Sequence, residues 1–201
     1  MTTDYARARR HLSRRDPVIR DLMRTHGKCG LADAQHGDPF GALMKAIVSQ
    51  QLSTKAAHTI FTRLLALFDG VPTPPALAAL TDVQLRGVGL SGQKLRYMRD
   101  LAAKVQEGTL PLPALDSMAD EEVIAALTQV KGIGRWTAEM FLMFRLHRPD
   151  VLPVDDLGIV KAVQKAYGLR KMPSADRLNK IGDAWRPYRS VACWYLWRSL
   201  S

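Results

Sequence analysis

Two stretches of this chain carry residue types at spacings that could do chemistry. The first, residues 127–138, reads L-T-Q-V-K-G-I-G-R-W-T-A. A helix ending at Val130 would turn through Gly132, Ile133 and Gly134 and restart at Arg135. Glycine permits positive φ and leaves backbone N–H groups uncovered, so a tight turn opening a helix N-terminus can receive a phosphate oxygen, while Ile133 plugs the angle between the helices. Such a grip would be indifferent to base sequence, and its plain alternative is a simple interhelical turn. The second stretch, residues 151–159, reads V-L-P-V-D-D-L-G-I and sets Asp155 and Asp156 before an apolar-periodic segment. A carboxylate held there can stabilise a developing positive charge and orient or deprotonate an attacking water. Equally, both aspartates could simply cap the helix that follows, favoured there by its dipole.

The elements that must hold these residues read as helices. Behind Asp38 as N-cap and Pro39 at the first helical position, Phe40, Leu43, Met44, Ile47 and Val48 form one apolar stripe over 39–50. The same period runs over 54–68 and over 93–106 behind Ser91, and further helices are expected at 17–25, 81–86, 120–130, 135–146, 156–167, 175–185 and 188–200. No stretch alternates with period two for long enough to demand a strand, so the expected class is all-α. Proline-bearing runs at 71–75 and 148–153 mark two expected seams. The first fifteen residues hold Arg7, Arg9, Arg10, Arg14 and Arg15 against Asp4 alone, which reads either as a basic arm laid on phosphates or as a frayed, solvated terminus.

Composition narrows the partners. With 201 residues, 47% hydrophobic and 24% charged, the chain has the averages of a globular domain with a packed core, which excludes disordered and fibrous classes. Its longest apolar run, 191–197, is far too short to span a bilayer, and no signal peptide is visible. Cys29 and Cys193 make no metal or disulfide framework, in keeping with a reducing compartment. Lys and Arg number 29 against 19 Asp and Glu, a net +10, which is the electrostatic footprint of a partner that carries phosphates.

The order of helix, G-I-G hairpin, second helix, Pro-containing loop and Asp opening a third helix resembles the helix-hairpin-helix DNA glycosylase superfamily. Within it the chain looks most like the alkylated-base enzymes of 3-methyladenine DNA glycosylase II type, through P-F-x-A-L at 39–43, I-V-S-Q-Q-L-S at 47–53, G-R-W-T-A at 134–138 and W-R-P-Y-R-S at 185–190. The resemblance covers about residues 38–200. It implies two helical subdomains, 40–146 with the hairpin, and 1–39 with 147–201, and an active-site cleft between them. It also implies a compact form without the N-terminal β-rich domain of longer members.

By resemblance Asp156 is the catalytic carboxylate, Asp155 being a neighbour that caps the helix. Trp136, Trp197 and Met140 would line the base pocket, where electron-rich rings attract purines made cationic by methylation at N3 or N7. Gln51, with Leu52 as runner-up, would fill the hole left by a flipped nucleotide, and a second loop at 87–94 would press on the opposite strand. Gly132, Gly134, Lys131 and Arg135 would meet DNA phosphate. Lys131 replaces the proline usual in the superfamily.

Trp136 stands where the bifunctional glycosylase/lyases carry a Schiff-base lysine, which implies a monofunctional enzyme in which water takes the sugar. The family's hairpin carbonyls hold a sodium or potassium ion, here matched by Thr128, Val130 and Ile133. No other cofactor is implied, and the Cys-rich loop of the iron–sulfur members is missing. The implied partner is double-stranded DNA bearing alkylated bases, with no membrane association, a monomeric enzyme, and a cytoplasmic, nucleoid-associated or nuclear setting. The rival readings are a non-catalytic hairpin module that binds DNA and a glycosylase for other lesions, such as ethenoadenine.

Overall fold

A computed structural model describes residues 4–33 and 38–200. Among them are twelve α-helices and no strand: α1 (Tyr5–Arg15), α2 (Pro17–His26), α3 (Pro39–Ser49), α4 (Thr54–Leu65), α5 (Pro74–Ala79), α6 (Asp82–Gly87), α7 (Gly92–Gln106), α8 (Asp120–Thr128), α9 (Arg135–Phe144), α10 (Leu157–Ala166), α11 (Ala175–Gly182) and α12 (Arg189–Arg198). The all-α class expected from the periodicity is the observed one.

The chain divides into two compact units, Met1–Gln35 with Leu142–Ser201, and His36–Phe141. In the first unit α12 is the central element. It packs against α1, α2 and α10, and its residues Ser190, Val191, Ala192, Cys193, Tyr195 and Leu196 are all buried. A helix apolar around most of its circumference must lie inside. In the second unit α7 plays that part, touching α3, α5 and α6, and the α3 stripe of Phe40, Leu43, Met44, Ile47 and Val48 is buried throughout. Side-chain caps start most helices. Asp38 accepts from the Gly41 N–H, Ser53 from Ala56, Ser91 from Lys94 and Ser174 from Arg177.

Three expectations need correction. Residues 5–15 are not a frayed end: α1 is a capped helix with Ala8 and Leu12 wholly buried. The run 71–75 is not a seam, because Thr73 caps α5 with Pro74 at its first position, where the missing N–H is no loss. Nor is 148–153 a seam. The division at 141/142 falls within α9, and 148–153 lies inside the first unit.

Asp16 explains why α1 is ordered. Its Oδ1 accepts from the Val18 and Ile19 N–H groups at 2.9 and 3.1 Å, capping α2. Its Oδ2 accepts from the Tyr167 hydroxyl at 2.5 Å and from Trp185 Nε1 at 2.9 Å. One carboxylate, 5% exposed, thus ties the α1–α2 junction to the chain after α10 and before α12. Burial, and then the bond to Asp16, push the Tyr167 phenol well above its ordinary pKa, so it stays a donor at physiological pH. Asp16→Ala removes a cap and leaves two buried donors unpaired. It should lower stability by about 3 kcal/mol or more, read from urea unfolding followed by tryptophan fluorescence.

Candidate functional site

Asp156 is the N-cap of α10. Its Oδ1 accepts from the Ile159 N–H at 2.8 Å and from Trp197 Nε1 at 2.9 Å, and the residue is 9% exposed, whereas Asp155 beside it is exposed. The two donors come from α10 and α12, so the carboxylate's rotamer is set from two directions. Gly158 makes room for this pair: a Cβ there would stand 2.9 Å from Asp156 Oδ1 and 3.1 Å from Trp197 Cδ1. The Trp197 ring is stacked on Phe144 at 5.9 Å with 28° between planes.

The loop leading to Asp156 is braced by the 185–190 motif. Arg189 donates from Nε to Asp150 Oδ1 at 2.7 Å and from Nη2 to the Asp150 carbonyl at 2.6 Å, while Arg186 reaches Asp150 Oδ2 at 3.0 Å. Ser190 Oγ donates to the Arg148 carbonyl at 2.7 Å and accepts from the Val151 N–H at 3.0 Å. This motif therefore fixes the backbone on which the aspartate is delivered.

In the second unit the hairpin follows α8. Gly132 has φ +83°, and a Cβ on it would penetrate the Tyr97 ring, so both backbone and packing require glycine here. Gly134 is exposed, has nothing within 4 Å of a built Cβ, and opens α9 with its carbonyl accepting from the Ala138 N–H at 3.1 Å. The hairpin is locked to α7, where Asp100 Oδ2 accepts from the Lys131 N–H at 2.8 Å.

The segment after α3 is tied to the same hairpin. Gln50 Nε2 donates to the Gly132 carbonyl at 2.6 Å, and Lys94 Nζ donates to the Val48 and Gln50 carbonyls at 2.6 and 2.8 Å. Partial burial lowers the Lys94 pKa. Directly after these anchors Gln51 takes φ 57°, and Gln51 and Leu52 are exposed. A non-glycine residue in the left-handed region is uncommon and marks a tip held in a defined shape.

Two candidate phosphate ligands look different in place. Arg135 grips Glu121 through Nη2 and Nη1 at 2.6 and 3.1 Å and Glu139 through Nε at 3.2 Å. The bond to Glu121 holds the guanidinium above its ordinary pKa and the Glu121 carboxyl below its own. Lys131, 74% exposed, has its Nζ 3.6 Å from Asp100 Oδ1. Both cations are thus offset by carboxylates, which makes the hairpin's uncovered backbone N–H groups the better anion ligands. Of the 87–94 segment, residues 92–94 belong to α7, and Lys94 points at α3's C-terminus.

Trp136 and Met140 lie one turn apart on α9, with Trp136 49% exposed. The carbonyls of Thr128 and Ile133 accept no hydrogen bond among the described residues, and that of Val130 accepts one, from the Ile133 N–H at 3.0 Å. These neutral oxygens are of the type that suits a sodium or potassium ion, and they are the ones that would hold it.

Sequence reasoning did not single out Gln50, Lys94, Tyr97, Asp100, Phe144 or Gly158 as parts of the site. Only the four-residue recurrence of Trp136, Met140 and Phe144 along α9 was there to be read.

The profile of the HhH-GPD superfamily base excision DNA repair proteins matches residues 44–187, which takes in the hairpin, Asp156 and, of the brace, Arg148, Asp150 and Arg186. The chain belongs to this superfamily. It is 34% identical to DNA-3-methyladenine glycosylase 1 of Schizosaccharomyces pombe over 99% of this chain and 89% of that protein. It is 32% identical to the alkylbase DNA glycosidase-like protein mag2 of the same yeast, over 98% and 94%. Among solved structures, the S. pombe 3-methyladenine DNA glycosylase in complex with abasic DNA superposes with TM-score 0.82 at 33% identity, over 96% of both chains. A DNA-3-methyladenine glycosidase from Bacillus halodurans superposes with TM-score 0.87 at 36% identity, over 99% of this chain and 91% of that one. The HhH-GPD hairpin and its following aspartate are thus embedded in a fold shared along nearly the whole chain.

The two hairpin glycines should respond differently to substitution. Gly132→Ala puts a side chain at positive φ and into Tyr97, so it should lower the melting temperature by several degrees. Gly134→Ala should stay within about 0.5 kcal/mol of the parent. Paired thermal melts check this.

Proposed function

We propose that this chain is a monofunctional DNA glycosylase that hydrolyses the N-glycosidic bond of alkylated purines, such as 3-methyladenine and 7-methylguanine, and so starts base excision repair. The reading is carried by one observation: a nearly buried carboxylate, Asp156, fixed by two donors, in a chain matched almost end to end by proteins named for 3-methyladenine excision. Its substrate is damaged double-stranded DNA, on which it acts as a monomer. A base inside a duplex is unreachable, so the nucleotide is turned out, and Gln51 at the tip of its braced loop, with Leu52 beside it, takes the place left in the stack.

Breaking the bond sends its electron pair to the purine and leaves an oxocarbenium-like sugar. A base methylated at N3 or N7 departs neutral and needs no proton. Asp156 balances the sugar's charge and takes a proton from the water that adds at C1′. Trp136, with Met140 one turn further along α9, receives the cationic base, whose attraction to an aromatic face is worth roughly 0.5–2 kcal/mol. The hairpin N–H groups hold the phosphate, and no residue reads the base sequence there.

Incubating methylated duplex with the protein should release free methylpurine, detectable by chromatography. Asp156→Asn keeps an oxygen for the Ile159 N–H and the cap but removes the charge. It should cut the excision rate by at least a hundredfold while DNA affinity changes only a few fold, with Asp155→Asn far milder. Full activity in the Asp156→Asn protein would end the assignment.

The product is a plain abasic site. After reaction the strand should stay intact until alkali is added, and borohydride should trap no protein–DNA adduct, because Trp136 cannot form an imine. A trapped adduct would contradict a monofunctional enzyme.

A further inference from the structure

The basic helix α1 takes no part in the chemistry above, and its electrostatics are unusual for this chain. Its sequence, YARARRHLSRR, contains five arginines, no lysine and no acid. At about 100° per residue, Arg7, Arg10 and Arg14 fall within one narrow stripe, opposite the buried Ala8 and Leu12. His11 and Arg15 flank that stripe. His11 is pinned through Nε2 to the Arg186 carbonyl at 2.7 Å and packs edge-on against Tyr188. Together Arg7, Arg10, His11, Arg14 and Arg15 line a concavity of about 260 Å³.

Several arginines elsewhere are paired with carboxylates, Arg99 with Asp82, Arg135 with Glu121 and Glu139, and Arg189 with Asp150. Among the described residues no carboxylate lies within ion-pair distance of Arg7, Arg10, Arg14 or Arg15. The two nearest acids in sequence are both engaged, Asp4 in capping α1 and Asp16 in capping α2 and holding Tyr167 and Trp185. Like charges three and four residues apart repel and weaken a helix, so packing alone gives no reason for this stripe.

We infer that the outer face of α1 is a second DNA-binding surface, which grips the phosphates of undamaged and damaged duplex alike. The inference rests on the DNA-glycosylase reading. Arginine's planar fork matches phosphate oxygens two at a time, which suits this all-arginine face. From Arg7 to Arg14 the helix rises about 10 Å, the axial span of about three phosphates of one strand. A lipid surface fits poorly, because the apolar side of α1 is already buried in its own unit and cannot enter a bilayer. A protein partner fits poorly as well, for the stripe has no aromatic or aliphatic anchor.

The test compares the parent with the triple variant Arg7→Gln, Arg10→Gln, Arg14→Gln, whose positions are exposed and whose fold is checked by circular dichroism. Affinity for an undamaged duplex is measured across a salt series. The parent's log affinity should fall linearly with log salt, and the variant's slope should be shallower by about 0.9 for each lost phosphate contact, roughly 2–3 in all. Single-turnover release of methylpurine at saturating protein should be unchanged. A control triple, Lys171→Gln, Arg177→Gln, Lys180→Gln, removes the same charge from exposed positions of the same unit. An unchanged slope in the α1 variant overturns the inference, as does an equal change in the control, which would make net charge the cause. A parent that binds DNA yet releases no methylpurine would sink the glycosylase reading and leave the slope comparison standing.

Discussion

The first unit depends on one buried carboxylate. Asp16 accepts two backbone N–H groups from the helix it caps, and a phenol and an indole from segments distant in sequence. A small unit made of a chain's beginning and its end has few covalent reasons to close. Here a single acceptor with four donors supplies the closure, and it holds because each donor would otherwise be buried without a partner. The α1 arginines stand out at a fixed angle for the same reason.

Asp156 repeats the device with a different outcome. It too caps a helix and accepts an indole N–H, but Asp16 closes a core, whereas Asp156 is the carboxylate that the proposed reaction would use. The capping and catalytic readings open at the sequence level are therefore not alternatives. The cap bond fixes one oxygen's direction, and a carboxylate with a fixed direction is what electrostatic stabilisation of a sugar cation requires. Asp155, one residue earlier, has the same chemistry in an exposed setting.

Much of the fold was legible because helices with one buried stripe announce themselves. The α3 stripe, the Ser91 cap and the Asp156 start stand where the spacing put them. The α1 helix was not legible. Its apolar face is only two residues wide and its charges suggest solvation, and its order comes from Asp16, whose partners lie far along the chain. Short α5 was hidden by prolines that mark a helix start as readily as a break. In the site, Asp156, Trp136 and the hairpin could be found from residue type and motif. Lys94 and Gln50 could not, because their roles are long-range bonds to carbonyls, and a backbone carbonyl leaves no trace in sequence. The pairing of Arg135 could not be read for a like reason: its carboxylate partner Glu121 sits on another helix.

The bracing of the segment after α3 separates what must be kept from what is free to change. Gln50 and the lysine that reaches across from α7 fasten the backbone leading into the tip, one to the hairpin carbonyl and one to the end of α3. The tip residue is bound only by its left-handed φ, which tolerates glycine, asparagine, aspartate or histidine and penalises β-branched side chains. Descendants of this chain can therefore exchange the side chain offered at position 51 without rebuilding the scaffold beneath it, whereas a change at position 50 or 94 would shift the tip and the hairpin together.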